Sequence, residues 1–341
     1  MRASTHPDPD RAPKALRIAL FVPCHNEEAT IARVIEDFGR HLPQAECHVF
    51  DNVSSDATAD VARAAGARVH RVCLRGKGNV VRRAFADLEA DVYVMVDGDA
   101  TYEAGAAPAL VRRLLDEGRD MVVGARVDSE RAAYRPGHRF GNRLLTGCTG
   151  LLFGNSFDDM LSGYRVFSRR YVKSFPAHAA GFEIETELAV HALQLRMPVA
   201  EVQTAYGARP EGSTSKLNTW KDGIRILATI IRLFNSERPL LFFSLGSVAS
   251  LLAALALAAP LLQTYLETGL VPRLPTAVLC VALVLLAALS LVCGLVLDNV
   301  VRGRVEAKRM AYLAVPATRG ALSVAAVAAV AVSTPVDGVQ R

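Results

Sequence analysis

Between Leu16 and Arg126 the chain alternates two kinds of apolar pattern. Short runs rich in β-branched residues, RIALFVP (17–23), CHVFDN (47–52), ARVHRV (67–72), DVYVMVDGD (91–99) and MVVGAR (121–126), have the length and composition of buried strands. Between them apolar residues recur at helical spacing. Ile31, Val34, Ile35 and Phe38 mark one face of a helix that Asn26 is placed to cap, and the same reading gives helices at 55–65, 78–88 and 105–117. Strand and helix in alternation predict βαβ units around a mostly parallel sheet, with ligands beyond the carboxyl ends of the strands.

The pattern changes past residue 239. Leu240–Leu262 and Ala277–Leu297 are runs of 23 and 21 residues without a charge. Each is long enough to cross a hydrocarbon core, which takes about 20 helical residues. Neither has a polar face, so two membrane spans are expected rather than two core helices. Arg232 and Arg238 precede the first run and Arg302, Arg304, Lys308 and Arg309 follow the second, while the linker between them carries one Arg. The positive-inside rule puts both flanks in the cytoplasm. Before the first span, Trp220, Ile224, Leu227, Ile231 and Phe234 share one helical face beside Lys221, Arg225 and Arg232, the pattern of a helix lying in the membrane interface. The expected organisation is a polar tail (1–15), an α/β domain (16–215), an interfacial helix (216–238), two spans (239–298) and a cytoplasmic tail (299–341). Within that tail Ala321–Val332 is too short to span.

Composition narrows the class. Half of the 341 residues (51%) are hydrophobic, which excludes a disordered or collagen-like chain. The net charge of +5 suits anionic lipid or phosphorylated substrates, and nucleic acid is not expected. Six cysteines without a CxxC pair predict reduced thiols. The apolar run at 18–22 is too short for a signal peptide, so the α/β domain is expected in the cytoplasm, on a multi-pass protein of the inner membrane. Ser244, Gly246 and Ser247 would let spans approach closely in a homo-oligomer.

The chemistry concentrates at strand ends. Asp97 and Asp99, two residues apart after VYVMV, suit a hard divalent cation, Mg or Mn, that neutralises a diphosphate; a solvated turn is the structural alternative. VPCHNEE stands where a dinucleotide glycine fingerprint would follow the first strand, and Gly76-Lys77-Gly78 lacks the P-loop spacing. Phosphates would then be held by metal and by Lys or Arg. Asp51 and Asn52 are placed to hydrogen-bond a base or ribose. His25 has no partner at metal-ligand spacing, and zinc is not expected.

In this order, VPCHNEE (22–28), DNVSSDAT (51–58), RGKGNVVR (75–82), DGDATY (97–102), VVGAR (122–126), DMLSGYR (159–165), GFEIETEL (181–188) and RPEGSTSKLNTWKDGIRIL (209–227) resemble the family 2 glycosyltransferases of GT-A fold, a Rossmann-like nucleotide-diphospho-sugar transferase domain. The likeness is strongest to the polyprenyl-phosphate group typified by dolichol-phosphate mannose and glucose synthases, and covers about residues 16–240. It implies a metal on Asp97 and Asp99, and donor binding by Pro23, Glu27, Asp51 and Lys77. It also implies cations for an acceptor phosphate among Arg126, Arg139, Arg143, Arg165 and Lys216. Asp159 and Glu185 are candidates to orient the acceptor or assist proton transfer. Gly98 departs from the Ala of many relatives. The implied activity is inverting transfer of one sugar from UDP-glucose, UDP-N-acetylglucosamine or GDP-mannose to a polyprenyl phosphate at the cytoplasmic face. Two rivals are a processive polysaccharide synthase, whose QxxRW motif has its nearest string at Gln194–Met197, and a catalytically silent sugar-nucleotide binding module.

Overall fold

The computed structural model describes residues 16–128, 147, 150, 157–179, 181, 183–207, 231 and 234–317. The first half alternates as the pattern predicts: β1 (Ile18–Cys24), α1 (Ile31–His41), β2 (Ala45–Asp51), α2 (Thr58–Ala64), β3 (Arg68–Arg71), α3 (Lys77–Asp87), β4 (Val92–Met95), α4 (Ala107–Asp116) and β5 (Met121–Asp128). Among the described residues, four further elements follow in this unit: β6 (Arg165–Ser168), α5 (Arg169–Ser174), α6 (Ile184–Leu195) and β7 (Val199–Tyr206).

These strands form one sheet in the order β3-β2-β1-β4-β6-β5-β7. β6 runs antiparallel to both its neighbours, β4 and β5, and the other pairings are parallel. The carboxyl ends of β1, β2, β4, β5 and β7 therefore open on one edge. Register fixes their depth: Cys24 lies opposite Asp51, and Arg126 opposite Thr204.

Alternate strand residues feed two apolar layers. Phe21, Phe50, Tyr93 and Phe167 meet Phe85 and Tyr171 on one side, while Leu20, Val22, Val49 and Val94 meet Ile31, Phe38 and Leu110 on the other. Helix α1 buries all four residues of its predicted face, Ile31, Val34, Ile35 and Phe38. At about 1.5–3 kcal/mol per large side chain, that burial outweighs the ~1 kcal/mol of a cap. Accordingly α1 starts at Thr30 with no side-chain cap. Asn26 does not cap it. This residue turns the chain in the left-handed region (φ 54°), and its Oδ1 accepts from the Ser55 N–H at 2.8 Å.

The chain divides into two compact units, Met1–Leu217 with Lys308–Arg341, and Asn218–Ala307. The second contains α7 (Pro239–Thr268) and most of α8 (Leu274–Ala314), both long and apolar enough to cross a membrane. Their most apolar windows are only 6% and 11% buried, so these helices do not form part of the buried core of the chain. A Cβ on Gly294 would meet Phe243 Cβ at 3.0 Å, so its absence lets α7 and α8 approach closely. Instead of ending with the apolar run, α8 continues to Ala314, and its last turns belong to the α/β unit. There Tyr312 donates to Asp120 Oδ2 at 2.7 Å and Lys308 to Gln194 Oε1 at 2.8 Å. The tail 1–15, most of the expected interfacial helix and Ala321–Val332 lie outside the described residues.

Candidate active site

The edge formed by the strand ends collects most of the residues singled out from the sequence. β4 delivers Asp97 and Asp99. Asp99 is buried, its Oδ1 accepting from Thr101 Oγ1 at 2.6 Å and from the Thr101 N–H at 3.3 Å. Asp97 is the more open of the two, with 28% of its side chain exposed. Thr30 supports the loop between them by donating to the Gly98 carbonyl at 2.6 Å. Glycine at 98 follows from its neighbour, because a Cβ there would sit 2.7 Å from Cys24 Sγ. Burial, followed by the charges of Glu27 and Asp97, keeps the Cys24 thiol protonated.

Lys77, the first residue of α3, reaches the same point. Its Nζ lies 2.5 Å from Asp97 Oδ1 and 2.6 Å from Glu185 Oε1, at the start of α6. Burial alone would lower the pKa of this ammonium, but the two carboxylates more than reverse that and raise it. Three segments fix the geometry. Asn52 Oδ1 accepts from the Gly76 N–H at 2.7 Å, setting the start of α3, while Asn52 Nδ2 donates to the carbonyls of Val72 and Leu74. Gly76 needs its glycine, with φ at 122°. Gly163 lies against Asp97 so closely that a Cβ would fall 2.3 Å from Oδ2. Asn52, expected at the nucleoside, is thus occupied in holding α3.

Arg126, at the end of β5, forms a bidentate pair with Asp159: Nε to Oδ2 at 2.6 Å and Nη2 to Oδ1 at 2.8 Å. Its guanidinium lies 5.4 Å above the Tyr206 ring from β7. Burial raises the Asp159 pKa, but the hydrogen bonds and charge of Arg126 outweigh it and hold the carboxyl below the usual range. Glu201 accepts from the backbone N–H groups of both Asp158 and Asp159. Tyr102 stands between the two clusters. It accepts from the Gly163 N–H at 2.8 Å and packs edge-on against Tyr164 and Tyr206.

Arg165 is placed differently from the acceptor-contacting role the resemblance implies. It is fully buried in β6, and its guanidinium donates to the carbonyls of Met160 and Ser162, inside the loop that carries Asp159. Pro23 and Glu27 line the β1 end, where the Glu27 N–H donates to Thr58 Oγ1 at 2.8 Å. Asp51 is buried beside them and its Oδ1 accepts from the Ser54 N–H. Arg139, Arg143 and Lys216 lie outside the described residues. Thr30, Tyr102 and Gly163 were not singled out from the sequence; Tyr102 and Gly163 fall within quoted motifs and Thr30 beside one, but nothing in their spacing marks them as supports.

The arrangement suits a cation shared with a ligand. Among the described residues no three His, Cys, Asp or Glu side chains converge into a metal cage. Mg-type ions characteristically take one or two carboxylates and complete their shell with phosphate oxygens and water, which matches the Asp97 and Asp99 pair.

Comparison with known proteins gives the family and the fold. The family model "Glycosyl transferase family 2" matches residues 19–175. The chain is 37% identical to glycosyltransferase AglJ of Haloferax volcanii over 71% of this chain and 80% of that protein. It is 27% identical to the dolichyl-phosphate hexose transferase of the same organism, over 65% and 95%. Among solved structures, glucosyl-3-phosphoglycerate synthase from Mycobacterium tuberculosis, crystallised with Mn2+, UDP and glucosyl-3-phosphoglycerate, superposes with a TM-score of 0.51 at 27% identity, over 64% of this chain and 79% of that one. The class is therefore a glycosyltransferase of Rossmann-like GT-A fold, and within it the chain belongs to glycosyltransferase family 2.

Proposed function

We propose that the enzyme transfers one hexose, with inversion, from a nucleotide diphosphate sugar to a membrane polyprenyl phosphate, with the α/β unit on the cytoplasmic face of the inner membrane. The observation that carries this reading is the pairing, on one sheet edge, of a cation-handling cluster (Lys77, Asp97, Asp99) with a bidentate arginine (Arg126), in a chain that also has two candidate spans. A lipid acceptor stays in the bilayer, which gives the spans a purpose that a soluble acceptor would not.

Asp97 and Asp99 would hold a Mg or Mn ion, which when bound neutralises the departing diphosphate. Pro23, Glu27 and Asp51 at the ends of β1 and β2 face the nucleoside. Arg126 is the described cation suited to fork onto the acceptor phosphate, joined by Arg139, Arg143 and Lys216 from the remaining segments. A phosphate monoester loses its second proton at a pKa of about 6, so its oxygen is already anionic at pH 7 and attacks without a strong base. Asp159 fits that economy: held ionised with both oxygens on Arg126, it orients the arginine rather than removing a proton. Arg165 positions the loop carrying Asp159. The likeness to the dolichyl-phosphate hexose transferase supports the acceptor class, and the UDP complex of the mycobacterial synthase supports the donor class.

The test uses full-length protein in detergent with polyprenyl phosphate, Mg2+ or Mn2+, and labelled UDP-glucose, UDP-N-acetylglucosamine and GDP-mannose in parallel. Label should move into the organic phase from one donor and cease with chelator. Donor binding without transfer from any of the three would favour a binding module instead.

A further inference from the structure

The cluster around Lys77 has one more carboxylate than its ammonium can neutralise. Lys77 Nζ is shared between Asp97 Oδ1 and Glu185 Oε1, in a setting where the Lys77 and Glu185 side chains are 9% and 7% exposed. Glu185 uses one oxygen only. Its Oε2 is buried and has no hydrogen-bond partner among the described residues. A buried carboxylate oxygen left open beside an ammonium is costly unless another state of the molecule uses it.

That state follows from the place of Asp97. The oxygen that Lys77 contacts at 2.5 Å belongs to the exposed member of the carboxylate pair read above as the metal site. A divalent ion coordinates carboxylate oxygens at about 2.0–2.1 Å. An ammonium and a dication cannot both sit that close to one oxygen, because like charges repel strongly where water is scarce. Gly163 packs against Asp97 Oδ2 and limits the turning of the carboxylate on that side. The start of α3 is fixed by Asn52 and Gly76. The mobile partner is then the Lys77 side chain, and the open oxygen of Glu185 is within its reach.

We propose that Lys77 is a built-in counter-cation that occupies Asp97 in the metal-free enzyme and is handed to Glu185 when Asp97 takes up the divalent cation. The inference rests on the reading of Asp97 and Asp99 as the metal site. The hand-over makes Lys77 a competitor of the metal and Glu185 the group that relieves the competition. Both are positioning residues for the cation. The empty cluster stays neutralised and folded without metal, and the ion enters an ordered site.

The experiment measures Mn2+ binding to full-length protein in detergent, without donor, by the loss of the free-ion electron paramagnetic resonance signal. Lys77→Gln, whose amide still hydrogen-bonds both carboxylates, should bind Mn2+ about 5- to 10-fold more tightly than wild type. Glu185→Gln should bind about 5- to 10-fold more weakly, and that loss should shrink below 2-fold in the Lys77→Gln background. Lys77→Arg, which keeps the charge, should stay near the wild-type affinity and serves as a second test should Lys77→Gln fold poorly. Unchanged or weaker binding by Lys77→Gln overturns the proposal. So does an equal loss from Glu185→Gln in both backgrounds, which would make Glu185 a bare charge or a ligand in its own right. Failure of the underlying reading looks different: wild type and Asp99→Asn would then bind Mn2+ alike, and the hand-over falls with the site.

Discussion

Two buried cations in the α/β unit are satisfied in opposite ways. Lys77, at the start of α3, faces two carboxylates, Asp97 after β4 and Glu185 at the start of α6. Arg165, the first residue of β6, has no carboxylate on its guanidinium among the described residues and spends its donors on the carbonyls of Met160 and Ser162, with Met121 Sδ beside it. The difference separates chemistry from architecture. Carboxylates can exchange one cation for another, so the Lys77 cluster can take part in a cycle of binding and release. Backbone carbonyls have no such alternative, so Arg165 is a fixed hub that shapes the loop bearing Asp159.

Four changes break or sharpen that contrast. The largest effect is expected from Asp99→Asn, which removes a metal oxygen while keeping the shape of the Thr101 contact. Turnover should fall by about 10²–10³-fold, the scale seen when one electrostatic group is lost from a reaction site. Thermal melting should be near wild type, and full activity at saturating metal would remove Asp99 from the site. Arg165→Met comes next and should act on folding. With buried carbonyls left unpaired, the unit should lose roughly 3–5 kcal/mol. Chemical denaturation reads this loss, and donor and acceptor use should decline together. A selective loss of acceptor use in a stable Arg165→Met protein would return Arg165 to the acceptor site.

A third change tests the packing that keeps Asp97 in place. Gly98→Ala should raise the metal requirement about 5- to 10-fold, because its Cβ collides with Cys24 Sγ, equivalent to about 1 kcal/mol. Cys24→Ala in the same chain should restore it, and metal titration of activity checks both.

The last change concerns pH. Burial pushes His191 down to about 3, with the Lys308 charge adding to the effect. Its protonated form is favoured in the unfolded chain, where the pKa is about 6.5. His191 therefore imposes no penalty above pH 6.5, and stability is lost as pH falls from there toward 3. At pH 5 the loss is about 2 kcal/mol. Melting curves between pH 7 and 5 should show it, and His191→Gln should flatten the dependence.

The sheet was legible because each strand from β1 to β5 is a short β-branched run, and α1 announces itself through four residues on one face. The two apolar helices were equally plain, since each uncharged run is long enough to cross a hydrocarbon core and has no polar face. β6 escaped notice because Arg165-Val-Phe-Ser is only four residues long and opens with a charge. Arg165 was expected at the acceptor phosphate from its motif, whereas its burial depends on carbonyls brought together by the fold. Asn26 was assigned to the cap of α1 from its position, but the left-handed turn it makes aims its side chain at α2's loop. The Asp97 and Asp99 pair was visible as a motif. Its partner Glu185 was named, but the Lys77 bridge joining them spans 88 residues from Asp97 to Glu185 (185 − 97) and leaves no trace in local spacing.

In the proposed enzyme one sheet edge holds the donor diphosphate on its β4 side and the lipid phosphate at Arg126. The most direct measurement is the rate of labelled-sugar transfer as a function of polyprenyl phosphate concentration in wild type and Arg126→Lys, with donor affinity measured alongside. Lysine keeps the charge but loses the fork. The account predicts a KM for the lipid phosphate raised about 10- to 100-fold with donor affinity unchanged. Equal weakening of donor and acceptor, or an unchanged KM for the lipid, would contradict it.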